Sequence, residues 1–332
     1  VLSWRYLCTP ISVQARYTLY YHLEKIAGGP LVKLFNLSNG IFFCFLAGAM
    51  ITVLATAVGI PVNMPMPGID DWYPNSASFV VIVLLVGLVI SIVASLGYET
   101  VAKFANIASP WMVLVFAACG LIAFKELGVT NWDALGRVWT ESITVAQGGT
   151  AESTMGFWSV EFFAWFCNAA MHVGMADLSV FRFAKKSSYG WASSAGMYVG
   201  HYMAWIAAAL MLAVQIKASG NTNPVPGPMA NQVAGLAGII CVIVAGWTTA
   251  NPTIYRAGLA FQAILPKASR MKVTFVAGMV AKIAGFFPAF ACKLLTVLGL
   301  YGTILAPMGA VIFFDLYFSQ KGESNRIDAY RF

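Results

Sequence analysis

The sequence predicts an all-α, polytopic membrane protein, a bundle of about eight transmembrane helices, and three observations carry that reading. Of 332 residues, 59% are hydrophobic and only 10% are charged, against a charged share of about 25% in soluble globular proteins. Apolar runs recur along nearly the whole chain, and about 20 such residues suffice, as a helix, to cross a hydrocarbon core about 30 Å thick. The apolar–polar alternation of a transmembrane barrel is absent, which leaves helices as the only structure that satisfies every backbone polar group in lipid.

Eight spans follow in order: about 36–58, 77–97, 108–124, 157–181, 190–216, 229–263, 273–291 and 294–318, with each boundary good to about four residues. The first is apolar after Asn39 and ends at a proline-rich connection, 59–76, that carries Asp70 and Asp71. The second runs without a charge to Gly97, and the third contains Pro110. Between the third and fourth lies a polar stretch, 125–156, whose Trp132 and Trp139 suit a segment lying flat on the membrane surface. The fourth span holds the most polar side chains. The fifth and sixth are joined by the rigid turn Asn-Thr-Asn-Pro-Val-Pro-Gly-Pro at 221–228. The seventh contains Lys282, and the eighth leads into a basic tail. Lys282 and Lys293 read as snorkelling or paired residues.

The formal net charge of +7 is a topology signal rather than a nucleic-acid surface, because the basic residues sit in short connections between spans. One side carries Arg5, Arg16, Lys25, Lys33, Lys103, Arg182, Lys185, Lys186, Arg256, Lys267, Arg270, Lys272, Lys321, Arg326 and Arg331, and the other only Lys125, Arg137, Lys217 and Lys293. The positive-inside rule then places both ends of this chain in the cytoplasm and the protein in the plasma (inner) membrane. The six cysteines are scattered through apolar stretches without CxxC spacing and read as small core residues. No Walker loop, GxSxG or HExxH is present, and three histidines offer no catalytic constellation, so no enzyme is expected.

Polar groups within spans are costly unless partnered or facing a cavity, so they mark the candidate sites. In the fourth span Trp165, Asn168 and His172 share one helical face, an aromatic plate with an amide and an imidazole that suits a flat polar ring. The other reading is that Asn168 and His172 bond across helices to hold the bundle together. Asp177 is expected to pair with Arg182 or Lys185, with a proton or cation role as the alternative. In the sixth span Ala245, Thr248 and Thr249 share a face, so one carbonyl and two hydroxyls point to a small hard cation such as sodium. Alternatively, the threonines bond back to carbonyls one turn earlier. Asn251 precedes Pro252, which frees a carbonyl at membrane depth that something must satisfy. In the first span Phe42 and Phe43 either line a pocket or pack.

Several stretches together resemble the nucleobase:cation symporter family of purine, cytosine and allantoin permeases. They are Ala15-Arg-Tyr-Thr18, Tyr98–Asn106 ahead of Pro110, Arg182-Phe-Ala-Lys185, Trp247-Thr-Thr-Ala-Asn251 with Ile254-Tyr-Arg-Ala-Gly258, and Ala306-Pro-Met-Gly309 leading to Asp315-Leu-Tyr317. The resemblance implies the LeuT-like fold, two inverted five-helix repeats with substrate and ion near the midplane. The eight spans would be the third through tenth of about twelve helices, with 1–332 a single transporter domain truncated at both ends. It further implies a sodium site using Ala245, Thr248 and Thr249, with the remaining ligands on the absent first helix. Substrate residues implied by it are Phe42 or Phe43, Trp165 or Asn168, and Asn251. The family's third helix often carries Trp followed four residues later by Gln, where phenylalanines stand here. The resulting expectation is a cation-coupled importer of a nucleobase-like planar heterocycle that needs no cofactor beyond a sodium ion and binds lipid and a small molecule, not nucleic acid. The rivals are a transporter of the same fold for an amino acid, amine or metal ion, and a non-catalytic membrane subunit.

Overall fold

The computed structural model describes residues 4–68, 70–146, 177–293, 301–302, 307–312, 314–315 and 318, and every described element is helical. A π-helical turn, Trp4–Cys8, runs into α1 (Thr9–Ala15). The hydroxyl of Thr18 accepts from the Tyr21 N–H and so caps α2 (Leu19–Ala27). The remaining helices are α3 (Gly29–Val58), α4 (Ala77–Leu96), α5 (Tyr98–Leu127), α6 (Trp132–Ala146), α7 (Leu178–Phe181), α8 (Tyr189–Ser219), α9 (Pro226–Ile264), α10 (Arg270–Ala284) and α11 (Ala289–Cys292). Ser76 caps α4 and Ser269 caps α10 in the same way as Thr18 caps α2, and proline occupies the first turn of α3 and of α9, where its missing N–H costs nothing.

Five of these helices are long and apolar enough to cross a membrane: α3, α4, α5, α8 and α9, with 30, 20, 30, 31 and 39 residues. By helix composition the chain is an integral membrane protein. They match the first, second, third, fifth and sixth predicted spans, except that α3 begins at Gly29 rather than near 36; three further differences concern α5, α9 and the seventh span. α5 starts at Tyr98 rather than near 108, because its first turns are polar and hydropathy tracks depth in lipid, not helicity. α9 is bent at Gly235, whose φ of 54° and ψ of −134° break the helix into a short outer arm and a long main shaft. The seventh span, expected at 273–291 as one stretch, is interrupted. α10 has 15 residues, about 22 Å at helical rise, and ends because Pro288 has no N–H for the Ala284 carbonyl, which the Phe287 N–H takes at 3.2 Å instead. Most of the fourth span, 157–181, and of the eighth, 294–318, lies outside the described residues.

α3 and α9 form the spine. Gly227 touches Thr56 and Ala57, Gly246 touches Met50 and Leu54, and Gly40 touches Phe261, so α9 descends as α3 ascends and the two run antiparallel. α10 packs into the angle between α3, α4 and α9, α5 lies against α9 and α8, and α6 leans on α8. Phe43, Ile51, Leu54, Ile254 and Tyr255 are buried in the largest core cluster, whereas Leu84, Leu85, Leu88 and Ile92 on α4 are exposed and form an apolar face for lipid. In hydrocarbon, close backbone approach rather than the hydrophobic effect drives such packing. A Cβ on Gly227 would lie 2.5 Å from the Thr56 carbonyl carbon and oxygen, which are backbone atoms and cannot step aside. Gly227→Ala is therefore expected to cost about 1–3 kcal/mol. Gly196 on α8 has open space around it, and Gly196→Ala is expected to gain about 0.5–1 kcal/mol. Thermal aggregation of the two variants in detergent should move in opposite directions.

Candidate functional site

The sixth predicted span supplies the best-defined polar group. Pro252 has no N–H to give, so the Thr248 carbonyl loses its helical donor in the middle of α9. Neighbouring side chains take up the local carbonyls: Asn251 Nδ2 donates to the Trp247 carbonyl at 3.0 Å, and the Thr253 hydroxyl to that of Thr249 at 2.7 Å. The Thr248 hydroxyl donates to the carbonyls of Val244 and Ala245 at 2.9 and 3.1 Å, and the Thr249 hydroxyl to Ala245 at 2.9 Å. The bonding back to the preceding turn weighed for these threonines is thus present. It also gathers the Ala245 carbonyl oxygen and both hydroxyl oxygens into one group. Asn251 is 1% exposed, and its Oδ1 is buried without a hydrogen-bond partner among the described residues.

A second polar group lies further along the α3–α9 pair. Asp177 is buried and does not pair with Arg182 or Lys185 as expected. It reaches α9 instead: Arg256 Nη2 meets one carboxylate oxygen at 2.5 Å, and Trp4 Nε1 donates to the other at 2.7 Å. The expectation failed because it weighed only neighbours in sequence, whereas Arg256 is brought in by packing. Arg182 turns to the Tyr255 hydroxyl at 3.2 Å. The Arg256 guanidinium lies 6.0 Å from the Phe43 ring centroid, and Phe42 stacks on Tyr301 at 3.7 Å. Phe43 is 1% and Phe42 6% exposed. The two phenylalanines therefore meet Arg256 and Tyr301 further along the bundle than Asn251.

Sequence reasoning left Asn36, Asn39 and Tyr301 without a role, yet Asn39 is 1% exposed with both amide atoms unpartnered, and Asn36 Oδ1 and the Tyr301 hydroxyl are likewise buried and unpartnered. The spacing of Asn36 and Asn39 on one face of an apolar span was the available signal. Trp247 Nε1 is also buried without an acceptor, beside Phe104 at 5.3 Å between ring centroids. Trp165, Asn168 and His172 lie outside the described residues. Among the described residues no cluster of His, Cys, Asp and Glu is suited to a transition metal, and Cys8, Cys44, Cys119 and Cys241 are buried, consistent with core packing. A scan against protein-family models and a search of curated proteins found no match to this chain.

Proposed function

We propose that this protein is a secondary active transporter that takes up a nucleobase or related planar nitrogen heterocycle, coupled to sodium or protons, by alternating access. The observation that supports this is Asn251, a buried amide in the middle of an apolar helix whose carbonyl oxygen has no partner among the described residues, beside the Thr248 carbonyl that Pro252 deprives of its donor. An unmatched acceptor at membrane depth costs free energy, and the ring N–H of a heterocycle is a donor of the right kind. Next to it the Thr248 and Thr249 hydroxyls donate to the Ala245 carbonyl, and that of Thr248 also to the Val244 carbonyl. The lone pairs of the two hydroxyl oxygens remain available to a small hard cation, which takes oxygen ligands, while the Ala245 carbonyl, which already accepts both protons, would have to exchange one of them for the ion, with further oxygens needed from elsewhere. The resemblance to nucleobase:cation symporters supports the same assignment. No catalytic group is invoked, and the chain acts as a carrier.

The test is ligand-induced stabilisation of the purified full-length protein. A nucleobase panel at about 100 times the dissociation constant should stabilise by about 2.7 kcal/mol in sodium chloride and by less in choline chloride, since ion and substrate must favour the same state. Equal stabilisation in both salts would leave proton coupling. Stabilisation by amino acids and not by nucleobases would replace the heterocycle with another solute.

The back-bonded threonines favour one rival. If the Thr248 and Thr249 hydroxyls serve only their own helix, a membrane subunit without a solute is the simpler reading, and no ligand in any panel would stabilise it.

A further inference from the structure

Charge is unevenly matched where α4 ends and α5 and α10 begin. Arg256 has Asp177. Two other guanidinium groups converge on its neighbour Tyr255: Arg182 Nη2 donates to the phenol oxygen at 3.2 Å, and the Arg270 guanidinium lies 5.8 Å from the ring centroid. Neither is ion-paired with a carboxylate among the described residues. The Arg182 Nε is buried with no acceptor, and Arg270 donates no side-chain hydrogen bond to any described residue, although a guanidinium has five N–H donors to place. Glu99, in the first turn of α5, is exposed and pairs with neither arginine.

Both arginines are nonetheless held by the fold. Arg16 adopts a left-handed backbone conformation, φ 59°, and its Nη1 donates to the carbonyls of Arg182 and Ala184 at 2.6 and 2.7 Å, which fixes the turn that carries Arg182. The Arg182 guanidinium rests 4.7 Å from the Phe183 ring centroid, and that ring is stacked on Tyr98 at 4.3 Å. Arg270 lies against Gly97, where a Cβ would fall 2.8 Å from Nη2 and where φ of +109° suits glycine alone. Two half-buried cations sharing one phenol repel each other and have given up water. Such an arrangement is stable when an anion lies between or beside them.

We propose that Arg182 and Arg270, held at Tyr255, form a binding site for a phosphate group. Planar guanidinium forks match phosphate oxygens in pairs, and basic pockets between helices at a membrane boundary suit anionic headgroups. The same chemistry is offered by the phosphodiester of an anionic lipid and by free phosphate.

The full chain in phosphatidylcholine nanodiscs separates the sources. Stabilisation and lipid adducts in native mass spectra on adding phosphatidylglycerol, without an effect of inorganic phosphate, assign the lipid headgroup; stabilisation by inorganic phosphate in pure phosphatidylcholine assigns the free anion. Arg182→Gln and Arg270→Gln should each weaken the binding on the order of tenfold, while Lys33→Gln, an exposed cation on α3, leaves it unchanged. Where a glutamine variant does not fold, Arg182→Lys and Arg270→Lys keep the charge and should still lose several-fold because the fork is gone. Binding of neither probe, or an equal loss in Lys33→Gln, overturns the site.

Discussion

Asp177→Asn is expected to destabilise the protein by about 3–5 kcal/mol, the usual cost of leaving one partner of a buried ion pair uncompensated. The carboxylate joins parts of the chain that are far apart in sequence: Trp4 of the N-terminal turn at 2.7 Å and Arg256 of α9 at 2.5 Å. The ion-paired side chains are only 10% exposed for Asp177 and 20% for Arg256, so solvent screens the loss little. Asparagine has one oxygen where the carboxylate has two, so one of the two donors must face an amide N–H. The packing around the pair is reinforced by Ser12, whose hydroxyl reaches the Leu178 carbonyl, and by Ser179, whose hydroxyl accepts from the Leu19 N–H. Loss of the charge should therefore loosen the whole N-terminal turn from the bundle. Denaturation in detergent measures the effect. The double variant Asp177→Leu with Arg256→Met should recover much of the loss, because two apolar groups leave no stranded charge. An unchanged midpoint in Asp177→Asn, or simple additivity in the double variant, would show that the pair carries no such role.

Asn251→Ala is expected to reduce uptake by about tenfold to a hundredfold at unchanged expression, the equivalent of losing a solute hydrogen bond worth about 1.5–3 kcal/mol. Among the described residues only one hydrogen bond goes with the amide, that from Nδ2 to the Trp247 carbonyl, so the structural cost should stay near 1 kcal/mol. The contrast between the two magnitudes is what makes the experiment informative. Transport at the wild-type rate in a well-expressed Asn251→Ala protein would remove the substrate assignment. A collapse in expression would instead assign the amide to helix stability, and Asn251→Asp, which keeps the acceptor, would then be compared for solute binding.

Most of the helical framework was legible because its signal is one-dimensional. Hydropathy alone places both ends of α4, α8 and α9 and the last residue of α3 close to expectation, since lipid demands a run of apolar residues of nearly fixed length, whereas α3 begins at Gly29, ahead of the expected 36, because its first turns carry Lys33 and Asn36. The errors fall where backbone chemistry and hydropathy part company. Tyr98–Asn106 is polar and yet helical, and Gly285–Pro288 is apolar and yet interrupts a span. The candidate site divides in the same way. Grouping Ala245, Thr248 and Thr249 required only helical periodicity, and both hydroxyls bond back to the Ala245 carbonyl of the preceding turn. Pairing Asp177 required knowing which helix lies beside it, and neighbours in sequence pointed to the wrong cations.

Amino-acid order suffices to put this chain in a bilayer, to locate five helices long enough to cross it, and to single out the polar side chains that must be accounted for inside them, because burial in lipid penalises each residue one at a time. Packing in three dimensions is what makes α3 and α9 run antiparallel through glycines, brings Arg256 rather than Arg182 to Asp177, and leaves Asn39, Asn251 and Tyr301 with polar atoms in the interior that have no partner among the described residues. Those outcomes depend on pairwise distances between distant segments, and a distance between two helices is a property of their packing rather than of either sequence alone.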